Sequence, residues 1–240
     1  MTLRSDLLEW GRERVRVGPW RSDGHLAILS PAADGPPPSP DFLRRCLDEL
    51  AAAGYQGVVT AALTPPEQAA FKAAGFWEQE QLRLLSHDLR HLPPVPEAPL
   101  RRAHDSDRPA VLAVDASAFR PFWQLDEWGL HDALTATPVS RFRVAVGPEG
   151  MGPEGVAGYA ICGRTNRRGY VQRLAVHPAS RGRGWGKALL LDGLRWMRRR
   201  GVERAVVNTQ LDNDAAYALY LRVGFREEPW RLAVLRQDFV

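Results

Sequence analysis

The stretch "RLAVHPASRGRGWGKALL", residues 173–190, is the most informative part of this chain. It passes from an apolar run into a loop with three glycines and several basic residues, and then into a helical pattern. Glycine permits positive φ and a close backbone approach, and the first amides of a helix point their N–H groups at an anion. Arg181, Arg183 and Lys187 add side-chain charge that suits a phosphate. The stretch therefore predicts a strand, an anion-binding loop and a helix in succession.

The glycine spacing matches neither of two common phosphate-binding fingerprints. The loop has no G-K-[ST] ending, and its glycines do not follow the order G-x-G-x-x-G. Without its surroundings, the loop could also be a tight turn with a solvated basic rim.

The second half of the chain alternates between strand and helix patterns, which predicts an α/β or α+β fold. Helices are expected at residues 106–119, with Ser106 as N-cap, at 122–135, from Lys187 to Gly201 and at 214–223; strands are expected at 142–146, 156–162, 170–176, 205–209 and 230–239.

Composition excludes several classes of protein. The 240 residues are 45% hydrophobic and 25% charged, as in ordinary globular proteins, and no apolar run reaches the ~18 residues of a membrane span. The charged start of the chain lacks the apolar core of a signal peptide, so a cytoplasmic protein is expected. Cys46 and Cys162 have no metal-ligand spacing and are interpreted as reduced core residues, so no metal is expected. A net charge of +4 is weak support for nucleic-acid binding, and no nucleic-acid or membrane partner is expected.

An internal repeat relates the two halves of the chain. Residues 26–54 align without a gap when shifted by 147 positions, so that Gly54 falls on Gly201. Residues 20–90 are therefore interpreted as a second copy of residues 167–240. The expected organisation is a partial repeat at 1–90, a proline-rich linker at 91–97 and a main domain at 98–240.

Two motifs together resemble the GCN5-related N-acetyltransferase (GNAT) superfamily. "LAVHPASRGRGWG" is similar to its acetyl-CoA loop, V-x-P followed by R/Q-x-x-G-x-G/A, and "NDAAYALYLRVGF" is similar to its second marker, N-x-x-A-x-x-L-Y-x-x-x-G-F. The markers occur in the family's order, and the resemblance covers residues 98–240. It implies a mixed, mostly antiparallel central sheet flanked by helices, with the N-terminal repeat as a degenerate half-copy.

The resemblance also implies a cofactor site for acetyl-CoA. Leu174, Ala175 and Val176 match the strand that pairs with the pantetheine arm, and Asn213 matches an asparagine near the thiol end. Tyr220 matches the tyrosine that often protonates the departing thiolate. The residues matching the pyrophosphate loop are Arg181, Gly182, Arg183, Gly184, Trp185, Gly186 and Lys187. Alternatives are a helix-capping role for Asn213 and a core-packing role for Tyr220.

The general base departs from the family pattern. Many relatives carry a carboxylate near the positions of Gln172 and Arg173, and neither of these side chains accepts a proton at neutral pH. A water relay, an acceptor that arrives uncharged, or another residue must then serve. The candidate residues are Glu127, which we select, and Asp126, His131 and His177.

Residues 119–134 fall where the family builds its acceptor pocket. Phe119, Phe122, Trp123 and Trp128 cluster there beside carboxylates, which suits a cationic amine on an apolar body. The alternative is that these aromatic residues pack the core.

The first copy lacks the groups that the chemistry uses. Its loop positions hold Asp34, Gly35, Pro36, Pro37, Pro38 and Ser39, and Phe71 stands where the second copy has Tyr220. Proline has no N–H to donate, and an aspartate would repel a pyrophosphate. This copy is predicted not to bind CoA.

The sequence thus favours an acetyl-CoA-dependent N-acetyltransferase that acts on a primary amine without a metal, as a monomer or homodimer. One alternative is a CoA-binding protein without transfer activity, suggested by the missing strand carboxylate. Another is a nucleic-acid-binding module that uses the arginine clusters.

Overall fold

The computed structural model describes residues 6–21, 23–32, 35–148 and 152–239. The elements in chain order are β1 (Asp6–Trp10), β2 (Glu13–Trp20), β3 (Asp23–Pro31), α1 (Pro40–Ala52), β4 (Gly57–Thr60), α2 (Pro65–Ala73), β5 (Trp77–His87), β6 (Leu100–Arg102), α3 (Arg108–Ala118), α4 (Glu127–Thr135), β7 (Val139–Val146), β8 (Val156–Thr165), β9 (Arg168–Val176), α5 (Trp185–Arg199), β10 (Arg204–Gln210), α6 (Asp214–Val223) and β11 (Arg226–Asp238).

The chain divides into two compact units that do not follow chain order strictly. The first contains Met1–Arg83, Gln210–Asp212 and Pro229–Val240, and the second contains Leu84–Thr209 and Asn213–Glu228. The proline-rich segment at 91–97 therefore lies inside the second unit, and the end of the chain lies in the first.

In the first unit, β1, β2 and β3 pair antiparallel, β3 pairs parallel with β4, and β4 pairs antiparallel with β11. The helix α1 begins at a proline after Ser39, whose hydroxyl accepts the Phe42 N–H at 3.2 Å. Its buried residues recur at helical spacing and pack against side chains of β2, β3 and α2. This periodicity explains why the segment is a helix with one apolar face.

In the second unit, β6, β7, β8 and β9 form an antiparallel ladder, and β9 pairs parallel with β10. Neighbouring residues of β8 alternate between two cores: Ile161 packs with α3 and α4, whereas Cys162 packs with α5 and α6. The predicted mixed, mostly antiparallel sheet with flanking helices is confirmed.

Two predicted helices begin later than expected. Ser106 lies in a short 3₁₀ turn, Asp105–Asp107, and does not cap α3. The Asp107 carboxylate instead accepts the His104 N–H at 2.7 Å. The helix expected from residue 122 begins at Glu127, because Asp126 caps it by accepting the Gly129 N–H at 2.7 Å.

Both cysteines are buried and free, and burial raises the pKa of the Cys162 thiol to about 12. Among the described residues, no helix is long and apolar enough to cross a membrane. Within the residues that the structure describes, no group of three or more His, Cys, Asp or Glu side chains could hold a metal ion.

A buried histidine makes the stability of the second unit sensitive to pH. His87 Nδ1 accepts the Leu89 N–H at 2.8 Å, and Nε2 lies 3.2 Å from the Val223 carbonyl oxygen. This arrangement fits the neutral ring with its proton on Nε2. Burial lowers the pKa of His87 below the ordinary value of 6.5.

We predict that the free energy of unfolding falls as the pH drops below about 6.5. In this pH range His87 binds a proton in the unfolded chain but stays neutral in the folded chain. Urea denaturation between about pH 7 and pH 5 should show this slope in the natural protein and a flatter profile in His87→Gln. The exposed His131→Gln is the control and should keep the natural slope. An unchanged slope in His87→Gln would contradict the prediction.

Candidate active site

The second unit contains a fork between two parallel strands. The ladder between β9 and β10 joins Arg168, Gly169 and Tyr170 to Arg204, Ala205 and Val206. Beyond Tyr170, β9 continues to Val176 and β10 to Gln210, with no further pair between them in the described ladder. On its other side β9 stays paired with β8 up to Val176. The backbone groups of Leu174, Ala175 and Val176 that point away from β8 therefore have no strand partner within the part of the chain that the structure describes.

A β-bulge marks the start of this open segment. Cys162 pairs with Val171 and Ile161 pairs with Arg173, so that Gln172 has no residue opposite it on β8. The Gln172 side-chain nitrogen lies 3.4 Å from the Thr137 hydroxyl, and its side-chain oxygen is buried with no hydrogen-bond partner among the described residues. The bulge re-aims the side chains that follow it on β9.

The glycine-rich loop leads from β9 into α5 and leaves the helix start open. Gly182 and Gly184 have φ values of +77° and +85°, which only glycine adopts without strain. Gly184 occupies the N-cap position, and none of the described residues has a side chain that accepts the first N–H groups of α5. At Gly186, in the first turn of α5, a Cβ would make only ordinary contacts, 3.4 Å from Leu219 and 3.6 Å from Val176.

Basic residues lie on both sides of this helix start in the chain. Arg181 and Arg183 are exposed, and Lys187 and Trp185 are half-buried in the first turn of α5. The helix dipole, the free amides and these charges all favour an anion at this place. The loop therefore combines the features of a phosphate site with a fork that opens directly before it in the chain.

The helix α6 carries the two marker residues of the second motif. Asn213 caps this helix by accepting the Ala216 N–H at 3.1 Å. Tyr220 is 5% exposed and contacts the Phe225 ring at 5.6 Å, and no hydrogen bond of its hydroxyl occurs within the described residues. Burial raises the pKa of Tyr220 above its ordinary value, so the phenol stays protonated at neutral pH.

The residue pair Arg173 and Asp115 organises the segment between α3 and α4. The guanidinium of Arg173 makes two bonds of 2.8 Å to the Asp115 carboxylate and one of 2.6 Å to the Trp123 carbonyl. The hydroxyl of Tyr159 also donates to Asp115. Arg173 lies 3.6 Å from the centre of the Phe119 ring. Asp115 was not predicted from sequence, although a carboxylate on the apolar face of α3, one turn after Val111, was a usable signal.

Three of the four predicted acceptor residues lie together, and Trp128 lies apart from them. Phe119 lies under Arg173, and the rings of Phe122 and Trp123 are 5.2 Å apart in an edge-to-face contact. Trp123 is buried, whereas Trp128 is 37% exposed and contacts His131 at 6.5 Å on α4. The structure thus brings the first three together near β9.

The predicted candidates for the general base each have a local partner. Glu127 lies 3.7 Å from Arg108, with 61% of its side chain exposed. Asp126 caps α4, and His177 Nδ1 accepts the Ala179 N–H at 3.3 Å. His131 is exposed on α4. None of these contacts points to one of the four as the base.

The first unit closes both features that are open in the second. Its β3 and β4 pair along Leu26–Leu29, the positions equivalent to 173–176. The Ser39 backbone N–H at the start of α1 donates to the Glu13 carboxylate, and the Ser39 hydroxyl lies 3.1 Å from it. An internal carboxylate therefore occupies the helix start. Phe71 is fully buried, and Asp34 lies outside the described residues.

Comparison with known proteins gives a family match for the region that holds the fork, loop and α6. Residues 110–225 match the model of the acetyltransferase (GNAT) family. The mycothiol acetyltransferase of Salinispora tropica is 35% identical over 143 residues, which are 55% of this chain and 46% of that protein. The mycothiol acetyltransferase of Tsukamurella paurometabola is 27% identical over 243 residues, 94% of this chain and 82% of that protein.

Among solved structures, a tandem GNAT protein from the clavulanic acid biosynthesis pathway has a TM-score of 0.67 at 17% identity. The likeness covers 94% of this chain and 78% of that one and concerns the fold. The match to the Salinispora tropica protein spans about half of its length, 46%.

The buried ion pair gives a prediction about stability. Arg173 and Asp115 have side chains that are 9% and 0% exposed. Asp115→Asn leaves the guanidinium without its counter-charge, so we expect the free energy of unfolding to fall by about 3–5 kcal/mol. The control, Asp105→Asn, removes an ion pair to Arg108 from a side chain that is 95% exposed and should change nothing measurable. Equal effects in chemical denaturation would contradict the prediction.

Proposed function

Residues 110–225 of this chain match the acetyltransferase (GNAT) family, and we propose that the chain transfers an acetyl group from acetyl-CoA to a primary amine. The observation that carries the proposal is the fork between β9 and β10, followed in the chain by the uncapped, glycine-rich start of α5. An extended ligand can pair with the open backbone of β9 while its phosphates meet the helix amides. Few other ligands combine an amide-containing arm with a pyrophosphate.

We assign binding of CoA to the backbone of Leu174, Ala175 and Val176 and to the loop from Arg181 to Lys187. Pairing with an open strand edge satisfies amide groups of the pantetheine arm. The N–H groups at the start of α5, with Arg181, Arg183 and Lys187, neutralise the pyrophosphate. Asn213, as the cap of α6, positions that helix and its tyrosine.

The reaction that we propose is direct attack of the amine on the thioester. The nitrogen lone pair forms the new bond to the carbonyl carbon, the bond to sulfur breaks, and the acetyl amide is released. Tyr220 gives its proton to the departing thiolate and regains one from solvent before the next turnover. The proton lost by the nitrogen goes to solvent water or to a carboxylate of the α4 segment, for which Glu127 is our candidate.

We place the acceptor against Phe119, Phe122 and Trp123, with Trp128 further along α4. We also propose that the protein acts in the cytoplasm as a monomer or homodimer. It then needs no metal ion and binds neither nucleic acid nor a membrane. A second function, CoA binding without transfer, is favoured by the amide and guanidinium at Gln172 and Arg173. Release of CoA thiol with a panel of amines separates the two functions.

We further propose that the first unit is a degenerate copy that does not bind CoA. The complete ladder between β3 and β4 leaves no gap for an extended ligand. The Glu13 carboxylate at the start of α1 takes the place that an anionic ligand needs.

A glycine pair tests the role of the loop. Gly184 and Gly201 have φ values of +85° and +76°, and a Cβ added at either meets no atom within 4 Å. Alanine at each should therefore cost a similar 1 kcal/mol or so of folding free energy, about the strain of a left-handed residue.

Only Gly184→Ala should also raise the dissociation constant for CoA, by about tenfold or more, because its methyl group enters the space of the phosphate. Titration calorimetry measures this constant, with Gly201→Ala as the matched control. Equal affinities for CoA in the two variants would remove the loop from the binding site.

A tyrosine pair on α6 tests the acid. Tyr220→Phe should lower kcat by about 100-fold or more, with the CoA dissociation constant unchanged, because only the proton donor is lost. Tyr217, whose hydroxyl donates to Glu227 at 2.7 Å, gives the control Tyr217→Phe. If both variants keep the natural kcat in steady-state assays, Tyr220 is a core aromatic residue and water is the acid.

A further inference from the structure

A buried clamp ties the segment between α3 and α4 to the strand that begins the open edge. Arg173 bonds to Asp115 on α3 and to the Trp123 carbonyl, and Asp115 also accepts the Leu125 N–H at 2.7 Å. The Phe119 ring faces the guanidinium at 3.6 Å. Both ends of residues 119–125 are therefore fixed through one ion pair.

Stability alone does not explain why a charged pair is buried in the clamp. Burying two charges often gains no more free energy than apolar residues of similar volume would. Here the donors of Arg173 are directed to one carboxylate and one backbone carbonyl, which fixes the geometry of the segment. A lysine would supply the charge but not the planar fork that makes these bonds at once.

The clamp also lies where the two proposed substrates meet. Arg173 follows the bulge at Gln172 and directly precedes Leu174, the first residue of the open backbone. The aromatic side chains that it holds are those to which we assign the acceptor. A small displacement of residues 119–125 would therefore move the amine relative to the thioester and leave the loop at α5 unchanged.

We infer that Arg173, oriented by Asp115, is a positioning residue for the amine acceptor and not for acetyl-CoA. This inference rests on the proposed function. The guanidinium, compensated by Asp115, contributes no free cation to the pocket. The acceptor then meets Phe122 and the side of Phe119 that faces away from the guanidinium, which suits an amine carried on an apolar body.

The test compares two matched arginine substitutions by steady-state kinetics and hydrogen exchange. Arg173→Lys removes the planar guanidinium group and keeps the positive charge. Arg141→Lys is the control, since Arg141 makes a similar two-point contact of 2.8 and 3.0 Å with Asp192 on α5. The acceptor is whichever of tyramine, spermidine and glucosamine the natural protein acetylates fastest.

We expect Arg173→Lys to raise the KM for the amine by about 10- to 100-fold, the scale of a misplaced reactant. The KM for acetyl-CoA should stay within about twofold. Hydrogen exchange of the peptide 119–125 should become faster in Arg173→Lys and stay unchanged in Arg141→Lys. If Arg173→Lys does not fold, Tyr159→Phe, which removes one bond to Asp115, should change the amine KM in the same direction by less.

Two results would overturn the inference alone: an unchanged amine KM in a folded variant with faster exchange, or equal increases of KM for both substrates. Either result would leave Arg173 as a structural residue in an active acetyltransferase. A natural protein that binds CoA but acetylates none of the amines would instead overturn the proposed function, and the positioning role with it.

Discussion

The separation of β9 from β10 after Tyr170 is the constraint on which the candidate site depends. A strand inside a sheet needs a partner for every N–H and C=O group, and β9 lacks one on this side just before it enters the glycine loop. The same few residues thus offer an open backbone edge and, beyond it, an uncapped helix start. We assign chemical roles to Tyr220 on α6 and to the clamp around Arg173 because of their association with this edge.

The first unit, which we propose to be a degenerate copy, has no such opening between its parallel strands. Its parallel strands pair along their equivalent positions, and α1 begins with a serine cap, a proline and the Glu13 carboxylate. A helix start can be stabilised from within the chain in this way. Among the described residues, α5 has no such internal acceptor, so Gly184 stands at the N-cap without a capping side chain. The comparison of the two copies therefore favours ligand binding as the role of the glycine loop.

The sequence predicted the second unit well wherever periodicity and motifs were strong. The bounds of α6 agree residue for residue, and the order of strands and helices around the loop is as expected. It failed where a local cap overrode the pattern, as at Ser106 and at the start of α4. The clamp could not be foreseen, because Asp115 and Arg173 are 58 positions apart and their contact depends on the bulge at Gln172. Which residues serve the acceptor and the base stays a prediction for the same reason.

We propose that the open edge of β9 and the start of α5 form the one CoA site of this chain. Titration calorimetry of the 240-residue chain with CoA measures how many CoA molecules bind. We expect a stoichiometry of one CoA per chain. A stoichiometry of two would mean that the first unit also binds CoA, and an absence of binding would mean that the open edge and the loop serve another purpose; either result would overturn the proposal.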